Sequence, residues 1–189
     1  MLIIQRVEEI AQALSRDMDK LTIKFKSSDA TDSYKEATPK VYSFTYDDLD
    51  GSMPLNTPSV LVQFMGMDSN DVASFLVHVC ICNPALQDKE IVNPLEGQEG
   101  VYEYQQTDGI DSARVRSELY RACLMLGEQV WLSLKRMSNI NQSISNLEFN
   151  PPNPYLENFP YCDCTISFES EITCSKMFGL NNTDVSKLL

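Results

Sequence analysis

The stretch Thr57 to Pro84 constrains the fold most. Two apolar, β-branched runs flank a polar break of Gly, Asp, Ser and Asn. That is the pattern of a β-hairpin. In the second run Phe75, Val77, Val79 and Ile81 fall on one side of a strand, and Leu76, His78, Cys80 and Cys82 on the other. Both sets are largely apolar, which predicts a central strand covered on both faces. Asn83-Pro84 ends it, because proline cannot continue a ladder.

The flanking patterns predict what covers the hairpin. Ile3, Val7, Ile10, Leu14, Met18 and Leu21 recur at helical spacing, giving an amphipathic helix over Leu2 to Leu21. A second stripe, Val115, Leu119, Ala122, Leu126, Val130, Leu134 and Met137, predicts a helix of roughly 40 Å with Asp108 or Asp111 as its N-cap, running to about Met137. Gly127 in its interior reads as a soft spot, costing about 1 kcal/mol against alanine. Its apolar face is broader than a coiled-coil seam, which favours packing across a sheet.

Short strands are expected at Ile23 to Phe25, at Val41 to Tyr46 with an aromatic face, at Val101 to Tyr104 and at Ile144 to Phe149. A long half-exposed strand is expected over Tyr161 to Cys174, with Cys162, Cys164, Ile166, Phe168 and Ile172 inward and Asp163, Thr165, Ser167, Glu169 and Glu171 toward water. Ser27 to Thr38 and Asp47 to Ser52 read as a loop and a turn, Pro54 to Pro58 as an extended linker. Ala85 to Asp108 is a long polar connection, and Pro151 to Pro154 a rigid connector. The sum is an α+β class: a single domain over residues 1–174, a mostly antiparallel sheet carrying an N-terminal helix and one long helix, with residues 175–189 as a tail.

With 189 residues and 43% hydrophobic content the chain can bury a core of its own. A net charge of −12 argues against direct nucleic-acid binding, which rests on clustered Lys and Arg. No apolar run approaches the ~18–20 residues that span a bilayer. Acids in the opening Met-Leu-Ile-Ile-Gln-Arg-Val-Glu-Glu-Ile replace the apolar core of a signal peptide, so the expectation is cytosolic synthesis without membrane insertion. In that setting Asn141-Gln142-Ser143 and Asn181-Asn182-Thr183 carry no glycosylation meaning, and the six cysteines are not a disulfide framework.

Two constellations bear on chemistry. Cys80-x-Cys82 and Cys162-x-Cys164 offer four thiolates to zinc, but both pairs sit within strand patterns and lack the Cys-x2-Cys knuckle, so buried packing is the preferred reading. His78, the one histidine, shares a strand face with Cys80; an enzyme or binding domain using His78 with a nearby Cys or acid is the alternative function. No nucleophile elbow or phosphate-binding glycine motif is present. Asp47, Asp48 and Asp50 before Gly51 miss calcium-loop spacing, since the twelfth position is Thr57. No cofactor or metal is expected.

The order of helix, strands, central hairpin, long loop, long helix and closing strand resembles the tail terminator, or tail-completion, proteins of long-tailed phages and prophages. Pro58-Ser59-Val60-Leu61-Val62-Gln63-Phe64, the strand Phe75 to Cys82 followed by Asn83, the helix Ser112 to Met137 and Cys164-Thr165-Ile166-Ser167-Phe168-Glu169-Ser170 carry the resemblance. It implies a non-enzymatic virion protein, a homo-oligomeric ring (often a hexamer) that caps the tail tube and joins it to the head. Tail tube and head-completion proteins would be its partners, in a virion or tail-like particle made in the bacterial cytoplasm. A closed ring needs a heterologous interface. The candidate contacts are Asp47, Asp48 and Asp50 of the acidic turn, and Gln87, Asp88, Lys89, Glu96 and Glu99 of the long connection.

Overall fold

A computed structural model describes residues 2–26, 34–47, 49–50, 53–54, 56–82, 91–94, 102–105, 112–141, 144–153 and 161–172. In chain order these form helix α1 (Leu2–Met18) and strands β1 (Ile23–Lys26), β2 (Tyr34–Ala37), β3 (Lys40–Ser43), β4 (Leu49–Asp50), β5 (Met53–Pro54), β6 (Ser59–Met67) and β7 (Val72–Cys82). Strands β8 (Ile91–Pro94) and β9 (Tyr102–Gln105), helix α2 (Ser112–Asn141), and strands β10 (Ser145–Asn150) and β11 (Tyr161–Glu171) complete it.

The main sheet has the order β10-β11-β7-β6-β3. β7 is its middle strand and pairs antiparallel along all eleven of its residues with β11, from Val72↔Glu171 to Cys82↔Tyr161. On its other side β6 pairs antiparallel, with a bulge between Phe64 and Gly66. β3 alone is parallel, Lys40↔Ser59 to Ser43↔Val62. Three two-stranded ribbons, β1-β2, β4-β5 and β8-β9, stand outside this sheet. The class is α+β, a mostly antiparallel sheet with an N-terminal helix and a longer second helix.

Both helices contribute to one core with a single set of sheet residues. Val7, Ile10 and Leu14 of α1, and Leu119, Cys123, Leu126, Val130 and Leu134 of α2, pack with Val60 and Val62, Ala73, Phe75, Val77, Val79 and Ile81, and Cys162, Cys164, Ile166 and Phe168. A ladder of rings crosses this core: Phe75 stacks on its register partner Phe168 at 5.3 Å and meets Phe64 edge-on at 6.0 Å. Burial of each such ring contributes about 1.5–3 kcal/mol. Polar ties set the helices' places. Arg6 donates to the buried Ser170 hydroxyl from Nε at 3.2 Å and from Nη2 at 3.1 Å. Ser133 Oγ donates to Asp17, which also accepts from Arg136 at 3.2 Å.

The turn between β6 and β7 is closed by Asp68, whose Oδ1 accepts from the backbone N–H groups of Asn70 and Val72. Those bonds, Val72 foremost, hold its carboxyl below the usual carboxylate range. Asp71 adopts a positive φ of 61°, and its carbonyl accepts from the Ile172 N–H just beyond β11.

Several expectations are corrected. The first helix ends at Met18, three residues short of Leu21. The polar segment Ser27 to Thr38 contains β2, whose Tyr-Lys-Glu-Ala sequence has no apolar alternation to reveal it. Likewise the connection Ala85 to Asp108 contains the ribbon β8-β9, with β9 shifted one residue from the expected Val101–Tyr104. The strand expected over Val41 to Tyr46 stops at Ser43, where its pairing with Val62 ends; Phe44 then takes a φ of 69° and turns the chain off the sheet edge. Of the aromatic face expected there, Tyr42 and Tyr46 are buried but Phe44 is exposed. The segment expected as a turn, Asp47 to Ser52, holds β4, which pairs with β5 where the expected linker begins at Pro54, and Thr57-Pro58 is a cis peptide. The tail 175–189 lies outside the described residues.

Gly127 also takes a different meaning. A Cβ there would sit 2.6 Å from Cys164 Sγ and 2.9 Å from the Phe149 ring. The residue is where α2 comes close to β11 and β10, so its missing side chain is a packing requirement. Gly127→Ala would gain about 1 kcal/mol of helix propensity and lose about 1–3 kcal/mol to overpacking. We therefore expect it to lower the urea midpoint, and to lower it less in a Cys164→Ala background where the nearest atom is gone. A rise in midpoint in the otherwise native chain would contradict this packing.

Candidate functional site

Strand parity decides what can meet what. Because β7 and β11 are in register, Cys80 lies opposite Asp163, whereas Cys162 and Cys164 lie opposite Ile81 and Val79. Cys162 and Cys164 therefore project toward the helices, and Cys80 and Cys82 project from the other face. The two Cys-x-Cys pairs do not converge on one metal ion. Among the described residues no group of three or more His, Cys, Asp or Glu side chains is arranged to hold one. Between the layers Cys123 Sγ donates to the Cys162 carbonyl at 3.3 Å, and the neighbouring Cys162 and Cys164 side chains, followed by burial, push its thiol far up.

The face away from the helices carries the chain's polar constellation. His78 projects there from the middle of β7, flanked in register by Leu61 on β6 and Thr165 on β11. The sequence pattern placed the hairpin beneath the long helix with His78, Cys80 and Cys82 on one covered face. The shared face is found, but what covers it is aromatic. Tyr46 lies edge-on to His78 at 6.1 Å and to Tyr42 at 5.3 Å, and Cys80, Cys82 and Tyr161 form a small buried cluster beside them.

Tyr46 arrives there because the chain leaves β3 at Phe44 and crosses toward β6, a parallel neighbour that no tight turn can reach. Its Oη lies 2.8 Å from His78 Nδ1. On the far side, His78 Nε2 lies 3.3 Å from Asp163 Oδ2, a diagonal cross-strand contact. Burial, reinforced by Cys80, pushes the Tyr46 phenol far above its ordinary value, so its hydroxyl carries its proton. With neutral imidazole the assignment follows: Tyr46 O–H donates to Nδ1, and Nε2–H donates to the Asp163 carboxylate.

This arrangement engages both ring nitrogens within the protein. Cys80, the thiol on the same face, is fully buried, and burial followed by the nearby Asp163 pushes it well above its ordinary value. A buried protonated thiol is a poor nucleophile. What the geometry does provide is a three-point tie joining the β3–β6 crossover, β7 and β11. Beside it the Ser59 hydroxyl, opposite Cys80 in register, is buried and completes no hydrogen bond of standard geometry, although it neighbours the Tyr46 phenol.

Of the contacts expected from the acidic turn, Asp47 is exposed and pairs with Lys40 Nζ at 3.2 Å; Lys40 also lies 4.7 Å from the Tyr42 ring centroid. Such an exposed pair contributes little to stability. Asp50 belongs to β4. Asp48, Gln87, Asp88, Lys89, Glu96 and Glu99 lie outside the described residues. Sequence reasoning missed Tyr46 and Asp163 as partners of His78. Asp163 was legible as the outward residue of its strand, but only the pairing of β11 with β7 brings it to the histidine.

Comparison with known protein families finds no family that matches the chain, and comparison with curated protein sequences finds no match.

Tyr46→Phe tests the tie. It removes one donor and leaves half-buried Nδ1 without its partner, at a cost of about 1–2 kcal/mol. Urea unfolding should show that loss, and amide exchange should accelerate at the crossover residues 44–47 more than in α2. Unchanged stability together with unchanged exchange would show that the hydroxyl carries no such role.

Proposed function

We propose that this chain is a non-enzymatic assembly subunit of a phage or phage-like particle, a tail terminator that rings the end of the tail tube and joins it to the head. The observation that carries the reading is the element order. A helix, an edge strand, a central hairpin, a long helix and a closing strand build one sheet with both helices on one face, and that order underlies the resemblance. The sheet retains two edge strands, β3 and β10, and edges with connecting loops are where a heterologous ring contact forms. Met65 and Met67, exposed near the β6–β7 turn, and Met125 and Leu132, exposed two turns apart on α2, add apolar contact surface. The internally engaged histidine and buried thiol favour assembly over a His78-based reaction.

Asp47, Asp48 and Asp50 of the acidic turn and Gln87, Asp88, Lys89, Glu96 and Glu99 of the long connection remain the proposed contacts for neighbouring subunits, the tube or the head-completion protein. No described helix is long and apolar enough to cross a membrane. Native mass measurement of the purified chain tests the reading, alone and with tail tubes. A ring of about six 21.4 kDa subunits that decorates tube ends is expected. A monomer at high concentration that ignores tubes would overturn it.

A further inference from the structure

The core between α2 and β11 holds three thiols. Cys123 of α2 and Cys162 and Cys164 of β11 are buried and free, and the tie on the opposite face uses none of them. Cys123 Sγ lies 3.3 Å from the Cys162 carbonyl oxygen, and Cys164 Sγ lies 4.0 Å from the Cys123 carbonyl oxygen. Cys123 therefore meets the strand where the two β11 cysteines stand. Gly127, one turn further along α2, leaves open the space beside Cys164 Sγ.

Strand geometry decides which of the five described cysteines can join. Residues two apart on one strand stand about 6.5–7 Å apart, whereas a disulfide needs Cβ atoms about 3.5–4.5 Å apart. Cys162 therefore cannot join Cys164, and Cys80 cannot join Cys82. Cys80 and Cys82 project from the other face, so no bond crosses the sheet from them to Cys162 or Cys164. We propose that Cys123 is the hub of an oxidisable cross-link that fastens α2 to β11, pairing with Cys162 or Cys164 while the third thiol stays reduced.

The oxidant is a small-molecule disulfide such as oxidised glutathione. One thiolate of the trio attacks a glutathione sulfur, forms a mixed disulfide and releases the first glutathione thiol. A second thiolate of the trio then displaces the other glutathione, and the protein disulfide closes. Two electrons pass from the two cysteine sulfurs to glutathione, and the two protons the cysteines lose are matched by those on the two thiols released. Burial shields the trio while α2 is seated, so the reaction follows excursions in which α2 lifts from β11. Once closed, the bond joins positions 39 or 41 residues apart and restricts those excursions. A chain folded in a reducing compartment keeps a free-thiol core, and an oxidising medium fastens it. The cross-link rests on the packing of α2 against β11 and holds whether or not the chain forms rings.

The test is oxidation of the full chain carrying Cys174→Ser, which leaves the five described cysteines. The protein is incubated with oxidised glutathione in native buffer for longer than the α2 amides take to exchange, since that exchange times the opening of the helix. Intact mass should show the loss of two hydrogens, reversed by a thiol reductant. Proteolytic mapping should join the Cys123 peptide to the peptide that holds Cys162 and Cys164. Cys123→Ala in the same background should form no intramolecular disulfide. A mapped bond that lacks Cys123, an intramolecular disulfide that persists in Cys123→Ala, or no disulfide after the incubation would overturn the proposal. Mapping needs only the Cys174→Ser chain, so the proposal stays open to refutation even if Cys123→Ala does not fold.

Discussion

The unbroken antiparallel pairing of β7 with β11 is the constraint on which the rest of the molecule depends. It runs the length of both strands with no bulge, so every side chain of β11 has its face fixed by its partner on β7. Side chains alternate along a strand, and a slip of one residue would exchange the two faces completely. In the observed register Phe168, Ile166, Cys164 and Cys162 join Phe75, Val77, Val79 and Ile81 under the helices. The same register sends Asp163 to the other face, beside His78 and Cys80. Core and polar constellation are therefore two consequences of one alignment.

The layers on either side differ in how they use that alignment. Toward the helices the requirement is close approach. Gly127 lets α2 settle onto Cys164 and Phe149, and the Asp17–Ser133–Arg136 contacts fix α1 against α2. On the opposite face the requirement is polar satisfaction. The parallel pairing of β3 with β6 forces a long return path, and the positive φ at Phe44 directs that path so that Tyr46 can cap His78. A histidine held at both nitrogens by groups from two other segments acts as a fastener.

Much of the fold was legible in the sequence because its largest elements bury a face at a regular period. The stripes of α1 and α2 and the alternation in β7 and β11 announced both the elements and which residues belong to the core. What the sequence could not announce depended on partners distant along the chain. Gly127 read as a helix defect, since its neighbours Cys164 and Phe149 belong to other elements. Tyr46 read as the end of a strand, because a turn at Phe44 is invisible in a segment that alternates so well. β2 lies in polar sequence without apolar alternation, and among the described residues it pairs with β1 alone. At the site, His78 and Cys80 were visible as neighbours on one face, while Tyr46 and Asp163 needed the strand order to join them.

The measurement closest to the heart of this account is the cross-strand pattern of backbone proton contacts between β7 and β11 in solution. The structure places His78 opposite Thr165, Cys80 opposite Asp163 and Phe75 opposite Phe168. Nuclear Overhauser contacts linking those pairs are the result the account predicts. A pattern displaced by one residue, with His78 opposite Cys164 or Ile166, would place Asp163 on the helix side and dissolve both the core and the polar tie described here.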